Sequence, residues 1–363
     1  MNQDCLKLTS YFAEHDKAGR RFLADALLDC YGRHRIATSV LLRGTEGFGS
    51  RQHLQTQRLL TLSEDLPMVA VAVDTRERVE RALEEVAGLA THGLVTLERA
   101  RLLTGEIGEV RLPQGLAEAT KLTVYLGRSE RGSGRPAFLD VVDLLRRHGV
   151  DGATVLLGVD GTIHGVRQRA RFFGRNAEVP LMIISVGAGA AIAGVLPELG
   201  ALLDRPLLTL ERIRVCKRDG HKLAEPERLP ETDPGGLGVW QKLMVYAGEQ
   251  AEHAGHPLYV QLARRLLQAG AAGATALRGI WGYHGDHPPH GDRLLALRRR
   301  VPVLTVVVDT PARIRRWFEI VDELTDETGL VTCEMVPAFR AGDRRGGLRL
   351  STLPAGDAGG SGR

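Results

Sequence analysis

Residues 121–126 read KLTVYL, a lysine leading an apolar run, and the same stretch occurs as KLTSYF at 7–12 and as KLMVYA at 242–247. Working outward, a glycine-rich turn follows each copy: RGTEGFGS (43–50), LGVDGTIHG (157–165) and RGIWGYHG (278–285). The spacing is constant, with 36 residues from Tyr11 to Gly47, from Tyr125 to Gly161 and from Tyr246 to Gly282. A proline then opens an apolar strand, LPMVAVAVD (66–74), VPLMIISVG (179–187) and VPVLTVVVD (301–309), and each unit closes on GLVTLE (93–98), PLLTLE (206–211) or GLVTCE (329–334). A repeat at this spacing is the signature of tandem structural units.

Within each unit the pattern is strand, helix, strand, loop, strand, helix, strand. First helices are expected near 22–31, 136–148 and 257–269, where Leu139, Val142 and Leu145 fall at helical spacing. Glycine just beyond two of them (Gly149, Gly270) is C-terminal punctuation. This βαββαβ order predicts an α+β fold of three ferredoxin-like units. The proline-led strands are apolar at successive positions, so both sheet faces are buried. Two helices cover one face, and the other copies cover the second: three sheets facing inward as a single-chain pseudo-trimer. The expected division is 1–112, 121–218 and 240–340, joined by polar linkers at 113–120 and 219–239, with a disordered tail at 341–363.

Composition sets broad limits. A chain of 363 residues with a net charge of +4 suits anionic ligands, and its charge is too slight to indicate DNA binding. Four scattered cysteines without a CxxC pair, and an N-terminus without a charged segment leading an apolar run, point to a reduced, cytoplasmic protein. The longest uncharged stretch, 181–196, falls short of the roughly 20 residues of a membrane span and is cut by the repeat into strand and helix.

Unit one, with RGTEGFGS followed by HLQTQRLLTLSEDLP and GLVTLE, resembles the DUF190 family, which is similar to the nitrogen-regulatory PII signalling proteins. The likeness covers about 7–105 closely, and 121–218 and 242–340 more loosely. It implies regulation rather than catalysis: a small effector, an adenine nucleotide above all, binds in clefts between units, and the loop after the second strand engages a target protein such as a membrane transporter. The PII phosphate loop Gly-Asp-Gly-Lys has no counterpart, because the corresponding segments ATHGLVT, LLDRPLLT and DETGLVT lack lysine. Other anions therefore stand beside nucleotides as effectors.

Candidate ligand residues follow. Arg43, Gly44, Gly47 and Gly49, with Arg278 and Gly282 in unit three, offer exposed N–H groups and cations, or simply a tight strand exit. Nine residues before each strand proline stand Arg58, Arg171 and Arg293, suited either to clamp an anion or to pair with an acid of the neighbouring unit. Arg99 with Arg101, and Arg212 with Arg214, share one strand face, where the resemblance implies phosphate contacts and an edge strand protected by charge is the alternative. Unit three has Met335 and Pro337 there, which implies one weakened cleft.

Secondary readings remain. His284, His287 and His290 offer metal ligands in a loop that otherwise reads as plain surface. The loop holding Arg167, Arg169, Arg171 and Arg175 beside Phe172 and Phe173 suits an RNA or a solvated surface. The second helix of unit two, AGAAIAGVLPELGALL (188–203), lacks its counterparts' charged outer face and calls for a cover or a partner. The rivals to effector sensing are an interaction scaffold and a phosphoester hydrolase using His53 and Glu46.

Overall fold

The computed structural model describes residues 2–49, 53–56, 65–90, 93–112, 118–169, 179–232, 238–285, 289–291, 301–336 and 338–341. Unit one runs β1 (Asn2–Ala13), α1 (Leu23–Arg33), β2 (Thr38–Arg43), β3 (Glu46–Phe48), β4 (Pro67–Thr75), α2 (Arg76–Leu89) and β5 (Leu94–Thr104). Unit two runs β6 (Thr120–Gly127), α3 (Ala137–Arg147), β7 (Gly152–Leu157), β8 (Asp160–Ile163), β9 (Val166–Arg169), β10 (Pro180–Gly187), α4 (Gly189–Leu202), β11 (Leu207–Arg212) and β12 (Arg214–Arg218). Unit three runs β13 (Trp240–Gly248), α5 (Leu258–Gln268), β14 (Ala274–Arg278), β15 (Trp281–His284), β16 (Pro302–Asp309), α6 (Pro311–Leu324), β17 (Leu330–Val336) and β18 (Ala338–Ala341).

The main strands of each unit pair antiparallel in one order: β5-β1-β4-β2, β11-β6-β10-β7 and β17-β13-β16-β14. Alternation along β4 explains its unbroken apolar run. Val69, Val71 and Val73 enter a cluster shared with Met182, Ile184 and Val186 of unit two and Leu304, Val306 and Val308 of unit three. Met68, Ala70 and Ala72 point the other way, under α1 and α2. Each sheet therefore buries one face against its own helices and the other against both neighbours.

The glycine-rich turn appears three times because each copy crosses to another unit. β3 of unit one pairs with β14 of unit three, β15 of unit three with β7 of unit two, and β8 of unit two with β2 of unit one. The turns are built alike. Gly44, Gly158 and Gly279 donate their N–H groups to Pro67, Pro180 and Pro302 at 2.7–2.8 Å. The next residues, Thr45, Val159 and Ile280, donate to Ala276, Leu41 and Val155 of the receiving strand, each at 2.8 Å. A Cβ at Gly47, Gly161 or Gly282 would stand 2.5, 2.1 or 2.2 Å from a carbonyl oxygen of that strand, so only glycine fits.

A second exchange runs the opposite way round. The end of β5 pairs with β11, β12 with β17, and β18 with β5. Every sheet thus gains one strand from each neighbour, one at either edge, which also covers edges that would otherwise be open.

The repeated lysines and glutamates meet at the centre. Lys7 lies opposite Glu98, Lys121 opposite Glu211 and Lys242 opposite Glu334 across adjacent strands. Each lysine also reaches the next unit: Lys7 to Glu211, Lys121 to Glu334 at 2.6 Å, and Lys242 to Glu98 at 2.5 Å. The own-unit contacts are 3.0, 2.9 and 2.9 Å, closing a six-membered ring of alternating charge. All six residues are buried, and Lys121 is only 1 % exposed. Burial opposes the charged form of Glu98 and Glu334, but the lysines beside them outweigh it and hold both below the ordinary carboxylate value.

The run 181–196 divides into β10 and α4, and among the described residues no helix is long and apolar enough to cross a membrane. The low-charge face of α4 is partly covered from within the chain. Ile107 packs on Gly200, and Ile107, Val110 and Leu112 join the cluster that holds Ile192 and Leu196. Glu198 on the same helix pairs with His148 at 2.7 Å, so the outer face is neither bare nor chargeless.

Breaking one member of the ring strands its partners. Lys121→Met is expected to destabilise the protein by about 3–5 kcal/mol, whereas replacing all six charges with apolar residues of similar volume is expected to cost far less. Chemical denaturation midpoints of the two variants check this, and equal losses would contradict it.

Candidate functional site

Where β8 and β9 of unit two lie over unit one, a cleft of about 690 Å³ opens between the units. Its charged lining is Arg35 and Arg78 from unit one, with His164, Asp204 and Arg205 from unit two. Arg35 follows α1, and Arg78 stands in the first turn of α2, donating to the Arg35 carbonyl at 3.2 Å and lying 3.4 Å from the Asp74 carboxylate. Asp204 and Arg205 form the turn between α4 and β11. Among the described residues, neither Arg35 nor Arg205 is held in a salt bridge, so cationic groups outnumber the single lining carboxylate and face the solvent. Burial, and then the positive charge of Arg205, hold the His164 imidazole below its ordinary value.

Two of these residues occupy backbone positions suited to glycine. Arg35 has φ 50° and His164 has φ 50°. Counting along the repeat, Gly149 (φ 68°) and Gly270 (φ 83°) match Arg35, and Gly285 (φ 55°) matches His164. The left-handed conformation costs a residue with a Cβ about 1–2 kcal/mol. Unit one therefore places an arginine, and unit two a histidine, where the backbone disfavours a side chain, and both line one cleft.

The equivalent cleft between units two and three, of about 660 Å³, differs chemically. Gly149 and Gly285 stand where Arg35 and His164 do, and Asp143 and Asp151 balance Arg146 and Arg147. Arg218 neutralises Asp151 at 2.5 Å, and His284 pairs with Asp219 at 2.8 Å.

The residues singled out from sequence fall elsewhere. Gly44, Gly47 and Gly282 serve the strand crossings, with the N–H of Gly44 committed to a carbonyl. Gly49 follows β3. Arg43 pairs with Glu14 at 2.8 Å and Arg278 with Glu249 at 2.5 Å. Arg99 and Arg101 alternate with the inward-facing Glu98, Ala100 and Leu102, on the strand face that holds Leu97 beneath the helices, and neither lines the cleft. Arg212 and Arg214 are exposed, the latter 3.9 Å from Glu227. Arg167 is spent on Asp25, Asp29 and Asp160, fastening the unit-two hairpin to α1. Glu46 is buried and accepts from Thr56 at 3.0 Å, while His53 is exposed. Arg58, Arg171, Arg293 and His287 lie outside the described residues, as do Arg175, Phe172, Phe173, Pro337 and the tail from 342.

Sequence reasoning passed over Arg35, Arg78, His164 and Arg205. Arg35 was detectable as the arginine standing where the other two copies have glycine after the first helix. The ring lysines and glutamates were visible as charges fixed in register within apolar strands.

The model of the DUF190 family, described as "Uncharacterized ACR, COG1993", matches residues 5–102, 119–215 and 240–338. The chain belongs to the DUF190 family. A UPF0166 protein of Aquifex aeolicus (strain VF5) is 31% identical over 94 residues, 26% of this chain and 88% of that protein. A UPF0166 protein of Methanocaldococcus jannaschii is 33% identical over 86 residues, 23% of this chain and 78% of that protein. Each relative thus spans about one unit. Among solved structures, an aspartate kinase from Synechocystis overlaps 93% of this chain and 44% of its own, at 10% identity and a TM-score of 0.26, too slight a likeness to carry an inference.

If the side chains at Arg35 and His164 are kept for binding rather than folding, removing the strain helps the fold. Arg35→Gly is expected to leave stability unchanged or raise it by up to about 1 kcal/mol. A lowered denaturation midpoint would show that Arg35 is structural.

Proposed function

We propose that this DUF190 protein is a PII-like regulatory protein that senses a small anion in the cleft between units one and two. The carrying observation is the pair of side chains at positive φ, the Arg35 guanidinium and the His164 imidazole, where the neighbouring cleft has Gly149 and Gly285. A conformation that strains the backbone to bring a guanidinium and an imidazole into one cleft fits ligand capture better than packing. Arg78 and Arg205 widen the cationic surface, and a volume near 690 Å³ accommodates a ligand of nucleotide size.

The strand order, with two helices on one sheet face, supports the ferredoxin-like reading, and the shared central cluster supports a PII-like trimer fused into one chain. In this reading the effector bridges Arg35 of unit one and His164 of unit two. It thereby fixes the β8–β9 hairpin, through which the protein meets a target. An adenine nucleotide is the first effector to try, and bicarbonate or another small anion the next. The difference between the two clefts supports binding at this one rather than at the one between units two and three.

Thermal-shift measurements with ADP, AMP, cyclic nucleotides, sulfate and bicarbonate test the proposal. One anion is expected to raise the melting temperature, and Arg35→Gly with Arg205→Ala is expected to abolish the rise while Arg99→Ala leaves it intact. No response to any anion, or a response that survives the double variant, would overturn it.

The shift should also depend on pH. An anion beside His164 favours the imidazolium, so binding takes up a proton and tightens as pH falls. Without ligand the sign reverses. The lowered folded-state value means the unfolded chain takes the proton more readily, and stability is lost as pH drops through the unfolded value of about 6.5. With sulfate or a cyclic nucleotide, whose charge is constant over this range, the anion-induced shift should therefore be larger at pH 6 than at pH 8 in the native chain, and equal at both in His164→Gln.

A further inference from the structure

We propose that Cys30, His34 and Glu85 form a zinc site between α1 and α2 of unit one, beside the cleft that Gly32 and Arg35 line. Cys30 and His34 lie four residues apart at the end of α1, so both project from one face of the helix. Glu85 faces them from α2. One donor atom from each of the three lies within 4.8 Å of the others, and His34 Nε2 is 3.1 Å from Glu85 Oε2. A tetrahedral zinc with bonds of about 2.0–2.3 Å holds its donors about 3.5 Å apart, so small side-chain rotations complete the set. The ligands come from two packed helices, which fixes their geometry before any ion arrives.

The chemistry of the three donors is that of zinc. Thiolate sulfur and imidazole nitrogen disfavour magnesium and calcium, and one carboxylate oxygen with an open fourth position for water completes the usual arrangement. Cys30 is fully buried and free of any disulfide, and its nearest backbone partner, the Ala82 carbonyl, is a distant 3.9 Å away. Burial and the negative charge of Glu85 push its thiol up to about 12, which a dication replacing the proton would reverse. Half-buried His34 and Glu85 leave a way in from solvent, and Arg33, bound to the other Glu85 oxygen, orients that carboxylate from outside.

The repeat supplies a comparison inside the same chain. Unit two keeps the imidazole–carboxylate pair as His148 and Glu198 at 2.7 Å, yet has Leu144 in the column of Cys30. Unit three has Arg265, Ala269 and Ile320 at the three positions. The pair alone thus serves as a helix-to-helix hydrogen bond, and unit one adds sulfur where a leucine fills the core equally well.

The test uses the full chain, stripped of metal and kept reduced. Zinc is titrated against a chromophoric chelator, and cobalt(II) is added to a parallel sample. The expected result is one tightly held ion and a thiolate-to-cobalt charge-transfer band. Cys30→Ser should abolish the band, His34→Gln and Glu85→Gln should each weaken zinc binding about 10–100-fold, and Cys333→Ser should change neither. Absence of zinc binding, binding without a thiolate band, or binding that survives His34→Gln and Glu85→Gln would overturn the proposal. The last two side chains are only half-buried and outside the apolar core, so the test holds even if Cys30→Ser fails to fold.

Discussion

Six charges buried at one point impose order on the rest of the molecule. A lone lysine in such a place would be intolerable, because removing an ion from water costs several kcal/mol even after relaxation. Each of Lys7, Lys121 and Lys242 is satisfied only when its own unit and the next both contribute a glutamate. A unit on its own would leave a charge pair facing the apolar side of its sheet. Apolar burial drives the three sheets together, while the ring dictates which strands must meet and in what register.

The two strand exchanges act on the same constraint at the periphery. One circulates through the glycine turns and the other through the ends of the last strands, in opposite senses. The exchanged hairpins also build the clefts, so the walls of any inter-unit cavity belong to two units by construction. Chemical difference between clefts then depends on a few positions on the shared framework. Arg35 and His164 against Gly149 and Gly285 are the clearest, because the backbone conformation is kept while the side chains change.

Much of this was legible in the sequence. The repeat, the order of elements and the two-sided burial of the proline-led strands followed from spacing and periodicity, since both are local properties. The glycines of the turn were noticed for the right reason, close backbone approach, but what approaches is another strand of the chain rather than something visible in local sequence. Arg99 and Arg101 were placed together correctly on one face, yet which face turned inward depended on where Glu98 pointed. The cleft lining draws on segments more than a hundred residues apart, as between Arg35 and His164, and no local pattern joins them.

Covalent fusion gives the left-handed arginine a meaning of its own. In a ring of three identical chains every substitution appears three times, so a strained cation would burden each junction and a lost ring lysine would empty all three corners. A single polypeptide escapes that obligation. It can set Arg35 and His164 at one junction and Gly149 and Gly285 at the matching positions of another, so that neighbouring junctions need not share one chemistry.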